Sequence, residues 1–192
     1  MRVSVNNEST FELSLDFLEE CVQLVDYVLL QEQAPLRGML ALTFVDEEEM
    51  ATLNLEYRGK QGPTDVLSFP CDGLSASDAL AEASKKIGDD DPNALYWAEF
   101  ADAEDVAPIL LGDVVIAPAV ACAQSGDTIE KYEAEIRLLL AHGVLHLMGY
   151  DHEDCEIEAK AMEAREQELL RDWTELWAGE PSKNKCGGGC CG

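Results

Sequence analysis

Apolar residues recur along the chain in two kinds of spacing, which predict helices and strands. Steps of three and four residues, as on one face of a helix, predict helices over 13–33, 47–59, 128–149 and 155–179. Alternating or short continuous apolar runs predict strands over 2–7, 39–46, 64–71 and 110–118. Together they predict an α+β fold, in which a small mixed β-sheet of about four strands packs with helices.

Residues that start or stop regular structure stand at the ends of several predicted segments. Asp46 has the side chain of an N-cap residue for the second helix, and Gly59 can adopt the left-handed turn that stops it. Pro35 ends the first helix, and Pro70 closes the third strand. Gly149 is expected to end the third helix as Gly59 ends the second.

The apolar positions also predict which side of an element faces the core. In the first helix the inward residues are Leu13, Phe17, Leu18, Cys21, Leu24, Val25, Val28 and Leu29. In the last helix the charged run 153–168 is interpreted as a solvated face, with Ile157, Met162 and Leu169 turned inward. The nearly continuous apolar run over 110–118 predicts a strand buried on both faces.

Length and composition bound the organisation of the chain. With 192 residues and 47% hydrophobic content it can bury one sizeable core, and we expect a single domain over 1–178. The acidic stretch at about 72–108 is expected to be an insertion, and the Gly/Cys tail 179–192 to be disordered. We expect no signal peptide and no membrane span. Four scattered cysteines and three clustered in the tail show no regular spacing of a disulfide framework, which suits a cytoplasmic location.

All three histidines lie within 142–152, and their spacing predicts a metal site. His142 and His146 are four residues apart on a predicted helix, so they project from one face and can share an ion. Gly149 permits a turn that brings the chain back, so that His152 can approach the same ion from a loop. Three protein ligands leave one coordination position open, which is the arrangement of a catalytic zinc site.

One residue argues against the peptidase chemistry that this spacing also suggests. The metzincin peptidases share the spacing of the two helix histidines, the glycine and the third ligand. Where those enzymes carry the glutamate that acts as general base, this chain has Gly143. Without that carboxylate, ordinary zinc peptidase chemistry has no proton acceptor. A zinc hydrolase of this other class is therefore an alternative with a feature against it.

Several motifs together resemble one known family. "HGVLHLMGYDH" (142–152) is similar to the signature H-G-x-L-H-L-x-G-Y-D-H of the YbeY family, the bacterial metal-dependent endoribonucleases and rRNA maturation factors. Residues 53–70 resemble its N-x-x-Y-R segment followed by P-T-D-V-L-S-F-P, and 111–116 resemble its L-G-D-I-x-I strand. The resemblance covers roughly residues 2–175, although the acidic segment 72–108 is longer than the family leads us to expect.

The resemblance implies a function and a set of site residues. It implies a zincin-like metal helix, with one Zn²⁺ per chain held by His142, His146 and His152, and catalytic roles for Arg58 and His142. The implied activity is that of a single-strand-specific endoribonuclease in 16S rRNA 3′-end maturation and late-stage 70S ribosome quality control. The implied partners are rRNA, the small ribosomal subunit and an Era-type GTPase. A non-catalytic ribosome assembly factor remains an alternative.

Spacing and residue type leave the roles of several side chains open. Without the resemblance, Arg58 is better explained as a helix-end arginine, where a cation interacts favourably with the helix dipole, or as a member of a surface ion pair. Asp65 and Asp113 could orient a ligand histidine, accept backbone amides or pair with Arg58, and a structural role is favoured for both. Asp151 either supports a ligand or stabilises the turn. Cys155 is expected to be a small buried hydrophobic residue, and this explanation is favoured over a role as a fourth metal ligand.

The net charge limits how the chain could bind RNA. A formal charge of -26 argues against attraction of nucleic acid by the general field of the protein. A local basic cleft of Arg58, Lys60 and Arg137 could still act, because charges are screened over about 8 Å at physiological salt. We therefore expect weak binding to free RNA and a dependence on the ribosomal particle.

Overall fold

The structure is a computed structural model, and it describes residues 3–34, 38–71, 109–126, 128–150 and 155–179. The predicted insertion 72–108 lies outside the described residues, as do Pro35, Asp151 and His152. The predicted tail also lies outside them, except for Gly179, which is the last residue of a helix.

The described elements follow the predicted order, with limits within a few residues of those expected. They are β1 (Val3–Asn7), α1 (Leu15–Gln31), β2 (Gly38–Phe44), α2 (Glu47–Arg58), β3 (Val66–Pro70), β4 (Ile109–Ile116), α3 (Pro118–Ser125), α4 (Ile129–Leu147) and α5 (Glu156–Gly179). The spacing of apolar residues does not distinguish α3 as a helix of its own. Its sequence signal is Pro118, because proline is favoured in the first helical turn, where its missing N–H is not needed.

The strands form a four-stranded mixed sheet in the order β1-β2-β4-β3. β1 pairs parallel with β2, and β2 pairs parallel with β4. β3 pairs antiparallel with β4 and lies at the other edge. The α+β prediction with a small mixed sheet is confirmed. Within the described ranges, no helix has the length and the apolar content needed to cross a membrane.

Apolar side chains cover the sheet on both faces, and the two coverings differ in size. The larger cluster joins one face to α1, α4 and α5 and contains Val114 and Ile116 of β4. The smaller cluster joins the other face to α2 and includes Met50, Leu67 and Val115. Burial of β4 on both faces therefore holds at its end. It does not hold at its start, where Leu110 is 60% exposed.

The predicted helix end at Gly59 is as expected, α1 has a cap that was not predicted, and the predicted cap residue of α2 has another partner. Gly59 follows α2 with a φ of 65°, in the left-handed region. Ser14 caps α1, because its Oγ accepts the Phe17 N–H at 3.1 Å. Asp46 occupies the N-cap position of α2, where its carbonyl accepts the Met50 N–H at 3.0 Å but its side chain makes no cap hydrogen bond. Its Oδ1 accepts instead from the backbone N–H and the hydroxyl of Thr10 at 2.9 and 3.0 Å.

The inward stripe of α5 differs in part from the predicted one. Met162 and Leu169 are buried as expected, whereas Ile157 is 80% exposed. The buried positions recur as Met162, Glu166, Leu169 and Trp173, which follow one face of the helix. Ile157 precedes Met162 by five residues, about 140° around the helix, so it points away from the core. In α1 the predicted inward residues are buried or partly buried.

Candidate metal centre

The helix α4 brings His142 and His146 together. Their Nε2 atoms are 3.1 Å apart, and the ring centroids are 4.6 Å apart at an interplanar angle of 78°. Both rings are partly exposed, so the pair is open to solvent. The predicted convergence of these two side chains on one point is therefore present.

The nitrogen separation fits a shared ion. Two nitrogen ligands of one tetrahedral zinc ion, each at 2.0–2.1 Å from it, are roughly 3.3 Å apart. The observed 3.1 Å is close to that value. Two nitrogen lone pairs at this distance repel each other unless a hydrogen or a cation lies between them. Neutral imidazole is also a ligand type that zinc favours.

A buried carboxylate from α5 completes this cluster, and the sequence analysis missed it. Glu166 is 8% exposed, and its Oε1 lies 2.6 Å from Nδ1 of His142. Such a carboxylate accepts the Nδ1–H, which leaves the Nε2 lone pair available on the side of His146. Glu166 lies within the charged run 153–168, which was interpreted as a solvated face, and for that reason it was not predicted to be buried. The sequence signal for its burial is its spacing. Glu166 follows Met162 by four residues and precedes Leu169 by three, so it lies on the same face of the helix as both.

The end of α4 turns as the glycine predicts. Gly149 has a φ of 97°. Its N–H donates to the carbonyl of His146 at 3.0 Å, and the Tyr150 N–H donates to that of Leu145 at 3.1 Å. This pair of bonds is the Schellman motif, which reverses the chain direction after a helix. The chain that carries His152 therefore leaves the helix one turn beyond His146.

Tyr150 anchors the start of that segment to two other helices. Its hydroxyl donates to Glu32 Oε2 at 3.0 Å, and Arg165 Nε donates to Glu32 Oε1 at 2.7 Å. Arg165 also bonds Glu168 at 2.6 Å. Burial raises the pKa of Tyr150, and the hydrogen bond to Glu32 raises it further. The network joins the end of α1, the turn after α4 and the helix α5.

Gly143 has a packing role that explains why no larger residue stands there. A Cβ at this position would lie 2.8 Å from Val114 Cγ1 and 3.1 Å from Ser68 Oγ. The Ser68 hydroxyl donates to the Gly143 carbonyl at 3.2 Å. The missing side chain lets α4 lie directly on β3 and β4. The position occupied by the general base in zinc peptidases therefore faces a packed sheet, which adds to the argument against that alternative.

The segment that contains Arg58 packs on the other face of the sheet. The Tyr57 ring packs edge-on against Phe69 of β3, with centroids 4.9 Å apart. The buried Asn54 donates from Nδ2 to the Gly62 carbonyl at 2.8 Å and so fixes the loop after α2. Arg58 is the last residue of α2 and is exposed, where a cation also suits the helix dipole. Its cooperation with the histidines stays a prediction.

Two other predicted side chains have separate structural settings. Asp65 Oδ1 accepts from the Val66 N–H at 2.9 Å and from the Thr64 hydroxyl at 3.0 Å, which is the backbone-binding role considered for it. Asp113 is exposed, so its carboxylate does not carry the burial cost that its apolar strand suggested.

Arg137 bonds to two glutamates, so the prediction that it contributes to a basic cleft is wrong. Its guanidinium donates to both carboxylate oxygens of Glu20 at 2.7 and 2.9 Å, and to Glu133 at 3.3 Å. It also lies over the Phe17 ring, 5.2 Å from the centroid. These contacts tie α4 to α1, so Arg137 is neutralised locally and contributes little to a basic cleft.

The described residues contain part of the predicted ligand set. The side chains of His142 and His146 lie in contact, and Glu166 contacts His142. His152 lies outside the described ranges. Within those ranges, no group of three histidine, cysteine, aspartate or glutamate side chains is arranged to hold a metal ion. The three-ligand zinc site therefore stays a prediction, supported by the geometry of its two helix members.

Comparison with known proteins identifies the family. The family model described as endoribonuclease YbeY matches residues 4–174. The chain belongs to the YbeY endoribonuclease family. A YbeY endoribonuclease of Acidothermus cellulolyticus is 36% identical over 187 residues, covering 96% of this chain and 100% of that protein. One of Mycolicibacterium vanbaalenii is 32% identical over 173 residues, covering 90% of this chain and 80% of that protein.

A solved structure supports the fold. The solution structure of TM1509 from Thermotoga maritima matches with a TM-score of 0.54 and 22% sequence identity, covering 98% of this chain and 99% of that one. The resemblance to the YbeY family that the motifs indicated is confirmed by the family model and by the relatives. Membership assigns the chain to the endoribonucleases, which are nucleases and hydrolases.

The YbeY motifs have distinct physical positions in this chain. The histidine motif supplies the paired imidazoles, the close contact at Gly143 and the turn at Gly149. In the N-x-x-Y-R motif, Asn54 fixes a loop and Tyr57 packs on β3, which together hold the end of α2.

Proposed function

We propose that this chain is a zinc-dependent, single-strand-specific endoribonuclease whose ion is held by His142, His146 and His152. The observation that carries the proposal is the 3.1 Å separation of the two Nε2 atoms, in a chain of an endoribonuclease family. The contact of Glu166 with Nδ1 of His142 supports it, because metal-binding histidines commonly donate their second N–H to a carboxylate.

The side chains have separate tasks in this proposal. A bound divalent ion supplies a Lewis acid that polarises a phosphoryl oxygen of the scissile phosphodiester. His142 and His146 hold their Nε2 atoms towards one point from a helix seated on the sheet. Arg58 stabilises the negative charge that develops on the phosphate, through the paired donors of its guanidinium. That charge develops whether water or the 2′-hydroxyl of the RNA attacks.

The proposed substrate is rRNA, in 16S 3′-end maturation and late-stage 70S ribosome quality control. A net charge of -26 opposes binding of free RNA, so recognition would depend on contacts within the small ribosomal subunit. An Era-type GTPase is the proposed protein partner, and the cytoplasm the proposed location. The ion pairs of Arg137 with Glu20 and Glu133 reduce the basic surface further, which strengthens the expectation of weak binding to naked RNA.

The test combines metal analysis with RNA cleavage. We expect protein purified without chelators to contain about one zinc per chain, and the His146→Ala variant to lose it. Zinc-loaded protein should cleave single-stranded rRNA segments, with faster cleavage in the ribosomal particle than in naked RNA. Absence of zinc from the wild-type protein would remove the basis of the proposal.

The role of Arg58 is tested with a matched arginine. Arg58→Ala should retain zinc and lose cleavage by about 100-fold, the order expected for one transition-state donor. The control is Arg171→Ala, which removes the same charge from an exposed position paired with Asp172. Equal activity of the two variants would exclude Arg58 from the chemistry. If the wild-type protein cleaves neither naked rRNA nor rRNA in the ribosomal particle, the assembly-factor alternative is favoured.

A further inference from the structure

Glu166 occupies a position where an apolar side chain would be expected. It belongs to the inward stripe of α5, between Met162 and Leu169, which are each 1% exposed. Glu166 itself is 8% exposed. A buried carboxylate is costly unless it is hydrogen-bonded, so a specific partner is needed at this place.

That partner is a ring nitrogen of His142. The Oε1 atom of Glu166 lies 2.6 Å from Nδ1, within hydrogen-bond distance. The adjacent Arg165 is directed elsewhere, with its guanidinium bonded to Glu32 and Glu168. Glu166 therefore acts on the imidazole across the α4–α5 contact.

The contact selects one form of the imidazole. A carboxylate accepts, so Nδ1 must carry the hydrogen, and in the neutral ring Nε2 then carries the lone pair. The same contact fixes the ring orientation, with Nε2 on the side of His146 Nε2 at 3.1 Å. The opposite tautomer would place an N–H on the atom needed for coordination and would face the carboxylate with a lone pair.

We propose that Glu166 is a positioning residue, which holds His142 as the Nδ1–H tautomer with Nε2 directed to the shared site of the two helix histidines. The inference rests on the proposed function in so far as it concerns zinc, but its effect on the imidazole exists without metal. It also gives α5 a task in the reaction, since this helix lies outside the histidine motif.

The test compares two substitutions with a control on the same helix. Glu166→Leu removes the acceptor and suits the apolar stripe, so the fold should be kept. Glu166→Gln keeps the shape and a weaker, neutral acceptor. The control, Glu163→Gln, removes a charge from an exposed position three residues earlier. Circular dichroism verifies folding of each variant.

The first readout is zinc affinity, measured by competition with a chromophoric chelator. Loss of such a supporting carboxylate typically weakens metal binding by about 10- to 100-fold. We expect a loss in this range for Glu166→Leu, a smaller loss for Glu166→Gln and none for Glu163→Gln. The second readout is the ¹⁵N chemical shifts of His142 in metal-free protein at alkaline pH, which distinguish the two tautomers of a neutral ring. They should report Nδ1–H in the wild type and a mixture of tautomers in Glu166→Leu.

Each outcome decides the inference. Wild-type zinc affinity in Glu166→Leu, or a zinc loss with an unchanged tautomer, would overturn it, because positioning requires both to change. If the wild type binds no zinc, the proposed function fails. The ¹⁵N shifts of the metal-free proteins then decide the positioning role alone: a tautomer that depends on Glu166 supports it, and one that does not refutes it.

Discussion

Replacement of Gly143 by alanine has two effects of opposite sign on the free energy of unfolding. In the middle of a helix, alanine is more favourable than glycine by about 0.8–1.0 kcal/mol, so an unhindered site would be stabilised. Here the new Cβ would lie 2.8 Å from Val114 Cγ1 and 3.3 Å from its Cγ2. Overpacking of a well-packed core costs about 1–3 kcal/mol. We therefore expect Gly143→Ala to destabilise the protein by roughly 0–2 kcal/mol.

A double-mutant cycle with Val114→Ala isolates the steric part. Removal of the two Val114 methyl groups takes away two of the three close contacts of the new Cβ. In that background Gly143→Ala should become stabilising by up to about 1 kcal/mol, since the helix propensity then outweighs the remaining contact with Ser68 Oγ at 3.1 Å. The difference between the two backgrounds should be at least about 1 kcal/mol, the usual size for residues in contact.

The assay is urea unfolding at equilibrium, followed by circular dichroism, with a chelator present. Removal of metal is necessary because a ligand bound only to the folded state would add to the apparent stability. Stabilisation by Gly143→Ala in the wild-type background would refute the reasoning. So would equal effects in both backgrounds, because α4 would then not be seated on β4 through this glycine.

Two predictions concern the titration of a buried cysteine and of a tyrosine. Burial raises the pKa of the Cys21 thiol to about 12, with a further contribution from Glu20, so this thiol stays protonated at mildly alkaline pH. Peptide mapping after alkylation should show Cys21 labelled later than the partly exposed Cys122, and equal rates would contradict this. The pKa of Tyr150 is raised above 10.0, first by burial and then by its bond to Glu32. Its contribution to stability is thus complete below about pH 10 and lost as the pH rises beyond it. Urea titrations at rising pH should show a smaller alkaline loss for Tyr150→Phe, and identical pH profiles would disprove the contribution.

The elements of the fold were largely predictable from local pattern. The spacing of apolar residues placed the long helices, because one buried face repeats with the helical period. Gly59 and Gly149 marked helix ends, because both take the left-handed conformation that glycine adopts at no steric cost. Pattern failed at Ile157, because a single apolar residue in a first helical turn does not show which face the rest of the helix will bury.

The roles of charged residues were much less predictable. Asp46 lies at an N-cap position, yet its carboxylate accepts hydrogen bonds from Thr10, 36 residues away in sequence. Arg137 was assigned to a basic cleft and instead pairs with Glu20 on another helix. Both outcomes depend on which groups the packing of helices brings within hydrogen-bond distance, and sequence spacing does not contain that information.

The candidate site divides in the same way. The sequence by itself determined the pairing of His142 and His146, since residues four apart on a helix share a face. It also determined the turn at Gly149, since that depends on local backbone freedom. Only the tertiary structure decided that Glu166 supports His142 and that Gly143 lies against Val114, because those contacts join elements far apart in the chain. Their physical cause is the close packing of α4 between the sheet and α5, which forces buried polar groups to find partners and leaves no room for a side chain at one position.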